Sequence, residues 1–283
     1  MISFTMRRKV ELIVISDTHF GAIGSKSESL LKYLKSISPK KIILNGDIID
    51  FWQFNKRHWD VNHTKIVREL LKLISKGVQI HYIAGNHDEA LRRFLNFKFN
   101  GFKISNKLKI NLDGKKAWFF HGDVFDVTMK YSRWITILGS IGYDFLIALN
   151  YLVNRVLKIF GQDNLSFSKR IKNRVKAAVS YINDFETTVA EIAIKNGFDY
   201  VICGHIHRPS IREIKTNKGK TTYLNSGDWI ENLTALEYNN KNWTVFQYDN
   251  KLFKKEKKGE SDYKNSKQLF NEMVADFELE KSK

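Results

Sequence analysis

Five short apolar runs, rich in β-branched and aromatic residues, each end in a segment of metal-binding chemistry. This coupling restricts the fold more than anything else in the 283-residue sequence. Residues 10–15 precede Asp17-Thr18-His19, residues 42–44 precede Gly46-Asp47, and residues 78–83 precede Gly85-Asn86-His87-Asp88. Residues 118–120 precede His121-Gly122-Asp123, and residues 200–202 precede Gly204-His205-Ile206-His207. Such runs mark buried strands. The five segments are therefore expected to emerge together at one end of a packed sheet, where open α/β sheets place their ligands. The candidate metal ligands are Asp17, His19, Asp47, Asn86, His121, His205 and His207. Hard oxygen with borderline nitrogen suits Mn, Fe or Zn better than Ca.

A single histidine at a strand end is usually a hydrogen-bonded surface group. Here five of the 8 histidines fall in these segments beside Asp17, Asp47 and Asn86, which sets the pattern apart from chance. His58, His63 and His81 lie outside it and are read as ordinary structural residues, with His58 and His63 able to reach the rim of the site.

Composition bounds the rest. Hydrophobic residues at 43% and charged residues at 27% describe a globular chain with a sizeable core, which excludes wholesale disorder. The one cysteine, Cys203, sits in an apolar run and is read as an inert core residue in a reducing compartment. Residues 1–9 are too short and polar for a signal peptide, so the expected location is cytoplasmic. A formal net charge of +17 predicts attraction to polyanions, and an anionic inner-membrane surface is the expected peripheral contact.

Along residues 10–122 strands and helices alternate, as in an α/β layered domain. Helices are expected at 27–36 and about 62–75, with Pro39 marking the turn into the second strand and Gly77 closing the second helix. Residues 124–190 break this rhythm. An apolar helical stretch covers 134–160, interrupted by Asp144 and Arg155, so it falls short of a membrane span. A cationic amphipathic helix follows, with Lys169, Arg170, Lys172, Arg174 and Lys176. Later, residues 233–238 and 243–248 flank Asn239-Asn240-Lys241-Asn242, a hairpin signal. The charge-dense tail after residue 250 has room for a last helix at about 268–279.

The ordered motifs D-x-H, G-D, G-N-H-D, H and G-H-x-H resemble the calcineurin-like metallophosphoesterase superfamily. That resemblance implies a four-layer α/β/β/α sandwich with an inserted helical cap. Its core would be residues 1–126 and 186–250, its cap 127–185 and its charged tail 251–283. It further implies two divalent ions, with Mn2+ the expected metal and Fe or Zn as alternatives. Asp17, His19 and His207 would hold the first ion, Asn86, His121 and His205 the second, and Asp47 would bridge them. Two neighbouring cations need such an anionic bridge, and water between them loses a proton readily, giving a hydroxide for in-line attack on phosphorus. His87 would act as the catalytic electrostatic or acid partner, oriented by Asp88.

Gly46-Asp47-Ile48-Ile49-Asp50-Phe51-Trp52 and Gly122-Asp123-Val124-Phe125-Asp126 resemble the UDP-2,3-diacylglucosamine diphosphatases of lipid A synthesis. So do Gly204-His205-Ile206-His207-Arg208-Pro209 and Asn225-Ser226-Gly227-Asp228-Trp229. The proteobacterial members carry G-N-R-D where this chain has Gly85-Asn86-His87-Asp88. The implied reaction yields UMP and 2,3-diacylglucosamine 1-phosphate. Asn86, His87, Lys172 and Lys176 would contact this nucleotide-sugar lipid, and the cap would take its acyl chains. A nuclease or general phosphodiesterase would use the same metals, but the apolar insert suits nucleic acid poorly. A non-enzymatic scaffold would not be expected to keep every ligand.

The insert yields a direct expectation. Burial contributes roughly 0.8 kcal/mol per CH₂, so acyl-chain contacts should dominate substrate binding. Charged replacements at Leu149 or Val153 should weaken hydrolysis of the diacyl substrate and spare a small chromogenic phosphodiester. Equal loss on both substrates in parallel kinetic assays would make the helix a folding element instead.

Overall fold

The computed structural model describes residues 7–126 and 167–253. The expected helices at 134–160 and 268–279 lie outside these residues, as do most of the insertion and nearly all of the tail. The chain divides into two compact units, Met1–Tyr248 and Asp249–Lys283. In the second, a short helix, α4 (Asn250–Phe253), is described.

The first unit begins β1 (Arg8–Ile15), α1 (Ser27–Ser36), β2 (Ile37–Asn45), α2 (Val61–Ser75) and β3 (Gln79–Ile83). It continues through β4 (Lys98–Phe99), β5 (Phe102–Ser105), β6 (Lys107–Leu112), β7 (Lys115–Phe120) and α3 (Phe167–Lys195). Last come β8 (Tyr200–Cys203), β9 (Ser210–Thr216), β10 (Gly219–Asn225), β11 (Thr234–Asn239) and β12 (Asn242–Gln247). A seven-stranded sheet has the order β12-β11-β1-β2-β3-β5-β4, and a five-stranded sheet the order β6-β7-β8-β10-β9. The inner strands β1, β2, β3 and β5 run parallel, as do β7, β8 and β10.

The two sheets pack face to face. Leu12, Val14, Ile43 and Ile83 from the larger meet Phe119, Ile202 and Leu224 from the smaller in one buried cluster. Alternation along β1 turns Ile13 and Ile15 to the opposite face, and both are buried as well. On the outer face of the smaller sheet, Phe185, Val189 and Ala193 of α3 cover Val201, Cys203 and Tyr223. The architecture is the α/β/β/α sandwich. The strand ends read as one packed sheet belong to both sheets of the expected sandwich: Asp17, Asp47 and Asn86 follow strands of the larger, whereas His121 and His205 follow strands of the smaller. Periodicity shows which runs are buried, but it does not show which partner buries them.

Local signals explain most boundaries. Helix α2 ends in paired bonds from the Gly77 N–H to Ile74 O (2.9 Å) and the Val78 N–H to Leu73 O (3.1 Å). Gly77 takes the left-handed φ of +85° that this cap requires. Asn240 and Lys241 have φ of 50° and 63°, closing the β11–β12 hairpin in two residues. Pro39 is different. It was expected in a turn, yet it lies inside β2, opposite Val10 of β1. Pairing of β2 with β3 begins only at Lys41, so one side of the strand is open at Pro39 and a missing N–H is tolerated there. Among the described residues no helix is long and apolar enough to cross a membrane.

His81 on β3 is partly buried, and burial, then Lys103, Lys41 and Lys98, push its imidazole down to about 4. The unfolded chain therefore protonates this residue near 6.5, where the folded chain holds it neutral. Its contribution to stability is complete above pH 6.5 and is lost as pH falls from there to about 4. His81→Gln should flatten that part of the stability curve in urea unfolding at several pH values. An unchanged slope would assign the effect to other groups.

Candidate metal centre

The site sits where the carboxyl ends of β1, β2, β3, β7 and β8 converge. Its backbone is unusual. Asp17 (φ 52°), His19 (φ 46°), Asp47 (φ 54°), His205 (φ 68°) and His207 (φ 53°) all adopt left-handed conformations that non-glycine residues avoid. Surrounding bonds enforce them. The Asp17 N–H donates to Gly46 O (3.1 Å), and the Thr18 and His19 N–H groups both reach Asp47 O (3.0 Å). These bonds lock the first two strand ends together.

Ligand atoms gather in three groups: Asp17, His19 and His207; His19, Asp50 and His87, which shares His19 with the first; and Asp47, His121 and His205. Within each, the atoms lie within 4.8 Å of one another. His207 Nε2 is 3.1 Å from Asp17 Oδ1, and His121 Nε2 is 3.1 Å from Asp47 Oδ2. Glycines admit this crowding. A Cβ on Gly46 would stand 2.3 Å from His121 Nδ1, and one on Gly85 would stand 2.2 Å from Asp47 Oδ1.

The residues present fit bound cations on a specific observation. His19 Nε2 and Asn86 Oδ1 are buried without a hydrogen-bond partner, and His121 Nε2 has the Asp47 carboxylate beside it but makes no well-directed bond. Buried polar atoms are rarely left so, and their lone pairs suit a metal. The opposite ring nitrogens are already engaged. His19 Nδ1 is 3.0 Å from Asp50 Oδ2, His121 Nδ1 is 2.9 Å from Asn45 O, and His205 Nε2 is 2.9 Å from Asp126 Oδ1. Those contacts fix which nitrogen of each ring can face an ion.

Electrostatics point the same way. Burial opposes charge on Asp17 and Asp47, but His207 holds Asp17 below the usual carboxylate range, and His121, His19 and His87 hold Asp47 far below it. Burial likewise opposes charge on His207, yet Asp17, then Asp228 and Asp47, raise it to about 9. Desolvated carboxylates thus draw protons onto the imidazoles, in the place where a metal would supply positive charge.

Asp88 has another role than the one expected. Its carboxylate accepts from the Ile48 N–H (2.9 Å), the Tyr82 hydroxyl (2.5 Å) and the Gly85 N–H (2.5 Å), tying two loops together. Asp50 faces His87 instead, with Oδ2 3.0 Å from Nδ1, and the Trp52 ring lies 4.4 Å from the imidazole. Burial lowers the pKa of His87, but Asp50 and Asp47 raise it above its ordinary value.

Asp50, Asp126 and Asp228 were assigned no role from sequence. Asp126 also accepts from the Tyr181 hydroxyl of α3. Asp228 takes the Ile230 and Glu231 N–H groups, and Asn232 in turn bonds His207 O (2.8 Å). Their only signal was position inside family-like segments. Lys172 and Lys176 fall on α3, and their side chains are outside the described residues. His63 serves α2 as part of its N-terminal cap with Asp60.

Residues 10–209 match the calcineurin-like phosphoesterase family. The chain belongs to that family. Among similar proteins, the UDP-2,3-diacylglucosamine hydrolase of Aliivibrio fischeri (strain MJ11) is 25% identical over 251 residues, covering 86% of this chain and 99% of its own. The enzyme of that name from Blochmanniella pennsylvanica (strain BPEN) is 22% identical, covering 82% of this chain and 94% of its own. That from Aeromonas salmonicida (strain A449) is 25% identical, covering 79% and 88%. As a calcineurin-like phosphoesterase, the chain is a metal-dependent phosphoester hydrolase that takes divalent ions.

Asp50 Oδ2 lies 3.0 Å from both His19 Nδ1 and His87 Nδ1, while its Oδ1 caps the Trp52 and Gln53 N–H groups. Asp50→Asn can keep the capping bonds but loses the charge behind His19. Metal retention should fall about 10- to 100-fold, the usual effect of losing such an outer partner. Chelator competition followed by elemental analysis measures this, and unchanged retention would remove Asp50 from the site.

Proposed function

We propose that this phosphoesterase hydrolyses the diphosphate bond of UDP-2,3-diacylglucosamine, releasing UMP and 2,3-diacylglucosamine 1-phosphate for lipid A synthesis, at an anionic inner-membrane surface. The observation that carries the chemistry is the pair of buried ligand atoms without hydrogen-bond partners, His19 Nε2 and Asn86 Oδ1, in a site that also holds the Asp17–His207 and Asp47–His121 pairs. The substrate reading is supported by relatives of that name, which the chain matches over 88–99% of their lengths. The charge of +17 favours an anionic surface.

In this reading Asp17, His19 and His207 would hold one Mn2+, Asn86, His121 and His205 would hold the other, and the Asp47 carboxylate would serve both. When bound, the ions lower the pKa of water and neutralise phosphoryl oxygens. The protein's own groups do the rest. Asp50 and Trp52 fix the His87 ring, and its raised pKa keeps a proton available for a phosphoryl or leaving oxygen. The Asp50, Asn45 O and Asp126 contacts hold the ligand rings in one tautomer. Lys172 and Lys176 of α3 serve the diphosphate, and the 127–185 cap serves the acyl chains.

Purified protein with Mn2+ and UDP-diacylglucosamine should release UMP, and the loaded protein should carry two ions. Asp47→Ala should lose both ions and Asp17→Ala chiefly one. His87→Ala should lower turnover roughly a hundredfold with metal content unchanged, whereas an active His87→Arg would make the residue a fixed cation. Cleavage of simple phosphodiesters without UMP release would leave the family chemistry standing and remove the lipid substrate.

A further inference from the structure

Residues 92–103 run along the free edge of the seven-stranded sheet and expose three phenylalanines: Phe94 at 57%, Phe97 at 51% and Phe99 at 62%. Singly exposed apolar residues are ordinary, but three on one short segment are not. Strands β4 and β5 close through Asn100 (φ 41°) and Gly101 (φ 86°), a tight turn that fixes their register. Phe99 pairs with Phe102, and Lys98 pairs with Lys103, which in turn lies opposite His81. Alternation therefore puts Phe99 and Phe102 on one face of the edge and Lys98, Lys103 and His81 on the other.

Among the described residues the cationic face meets no counter-charge. Among the described residues neither Lys98 nor Lys103 has an ion pair, and no acidic residue occurs between positions 90 and 103. His81 Nε2 is buried without a hydrogen-bond partner. A cavity of about 300 Å³ opens there, lined by His81, Lys98, Phe99, Phe102 and Lys103. The depressed pKa of His81, caused by burial and then Lys103, Lys41 and Lys98, reports the same positive field.

We propose that this sheet edge docks on an anionic phospholipid bilayer, with a headgroup phosphate between Lys98, Lys103 and His81 and with Phe94, Phe97 and Phe99 in the interfacial layer. Phenylalanines alternating with lysines are the composition of interfacial membrane contacts. Nucleic acid would not call for apolar rings strung along a sheet edge with their cations on the opposite face. Only the start of this segment is tied to the site, where Arg92 pairs with Asp123 at 2.6 Å, two residues past His121; Lys98 to Lys103 lie at the level of Ile80 and His81 on β3. The inference rests on the inner-membrane contact of the proposed function and adds the surface that would make it.

The test is sedimentation of the full chain with vesicles in the absence of substrate. Wild type should partition onto phosphatidylglycerol–phosphatidylcholine vesicles and not onto pure phosphatidylcholine. Lys98→Glu with Lys103→Glu should cut partitioning at least about tenfold, since each lysine near an anionic surface is worth about fivefold. Phe97→Ser with Phe99→Ser should cut it at low and at high salt alike. All these positions are at the sheet edge, so melting temperature and cleavage of a chromogenic phosphodiester should hold and show that the variants are folded. Wild-type partitioning in both double variants would overturn the proposal, as would absence of vesicle binding by wild type. Loss of oligonucleotide binding in these variants, with no vesicle binding, would assign the edge to nucleic acid and equally overturn it. Failure to release UMP bears only on the substrate reading.

Discussion

Two carboxylates, Asp17 and Asp47, are buried at the seam between the sheets with almost no access to water. Charges in such a place are unfavourable unless paired and hydrogen-bonded. Here they are met by His207, His121, His19 and His87, and by backbone donors such as the His87 and His205 N–H groups. The left-handed backbone at both carboxylates and at His19, His205 and His207 is part of the same compromise. Strain of that kind persists only where the surroundings enforce it. A bound cation resolves the conflict, so metal affinity and stability of this end of the molecule are expected to be linked.

The sandwich supplies rigidity for that arrangement. Parallel strands from both sheets end at the same level, each delivering one short segment. The packed cluster between the sheets, with Phe119, Ile202 and Leu224 fully buried, fixes their separation. Ligands from the smaller sheet reach carboxylates from the larger only because that separation is held. The Asn225–Trp229 segment then ties the layers together: the Trp229 N–H bonds Asp17 O (3.1 Å), and Ser16 Oγ meets Ser226 Oγ at 2.7 Å.

Outside the ligands, a few acceptors control several groups at once. Asp50 serves His19 and His87 through one oxygen, coupling a metal-facing ring to the ring that would act on phosphate. Asp126 joins His205 to Tyr181, so the long helix α3 is connected to the second ligand group. That helix runs unbroken through the boundary drawn at residue 185 between cap and core.

Much of this was legible in the sequence. Apolar runs gave the strands, Gly77 gave a helix end and Asn240-Lys241 gave a hairpin, because these depend on local backbone preference and burial. The seven candidate ligands stood out in the sequence because Asp, His and Asn suit a metal and cluster at strand ends. The division into two sheets was visible only through family resemblance, since a buried run does not encode its partner. Pro39 inside β2, the turn of Asp88 away from His87, and the part played by Asp50, Asp126 and Asp228 were decided by tertiary structure alone. Each depends on which groups from distant segments meet at about 3 Å, and that is fixed by how two sheets pack, not by the order of residues along either one.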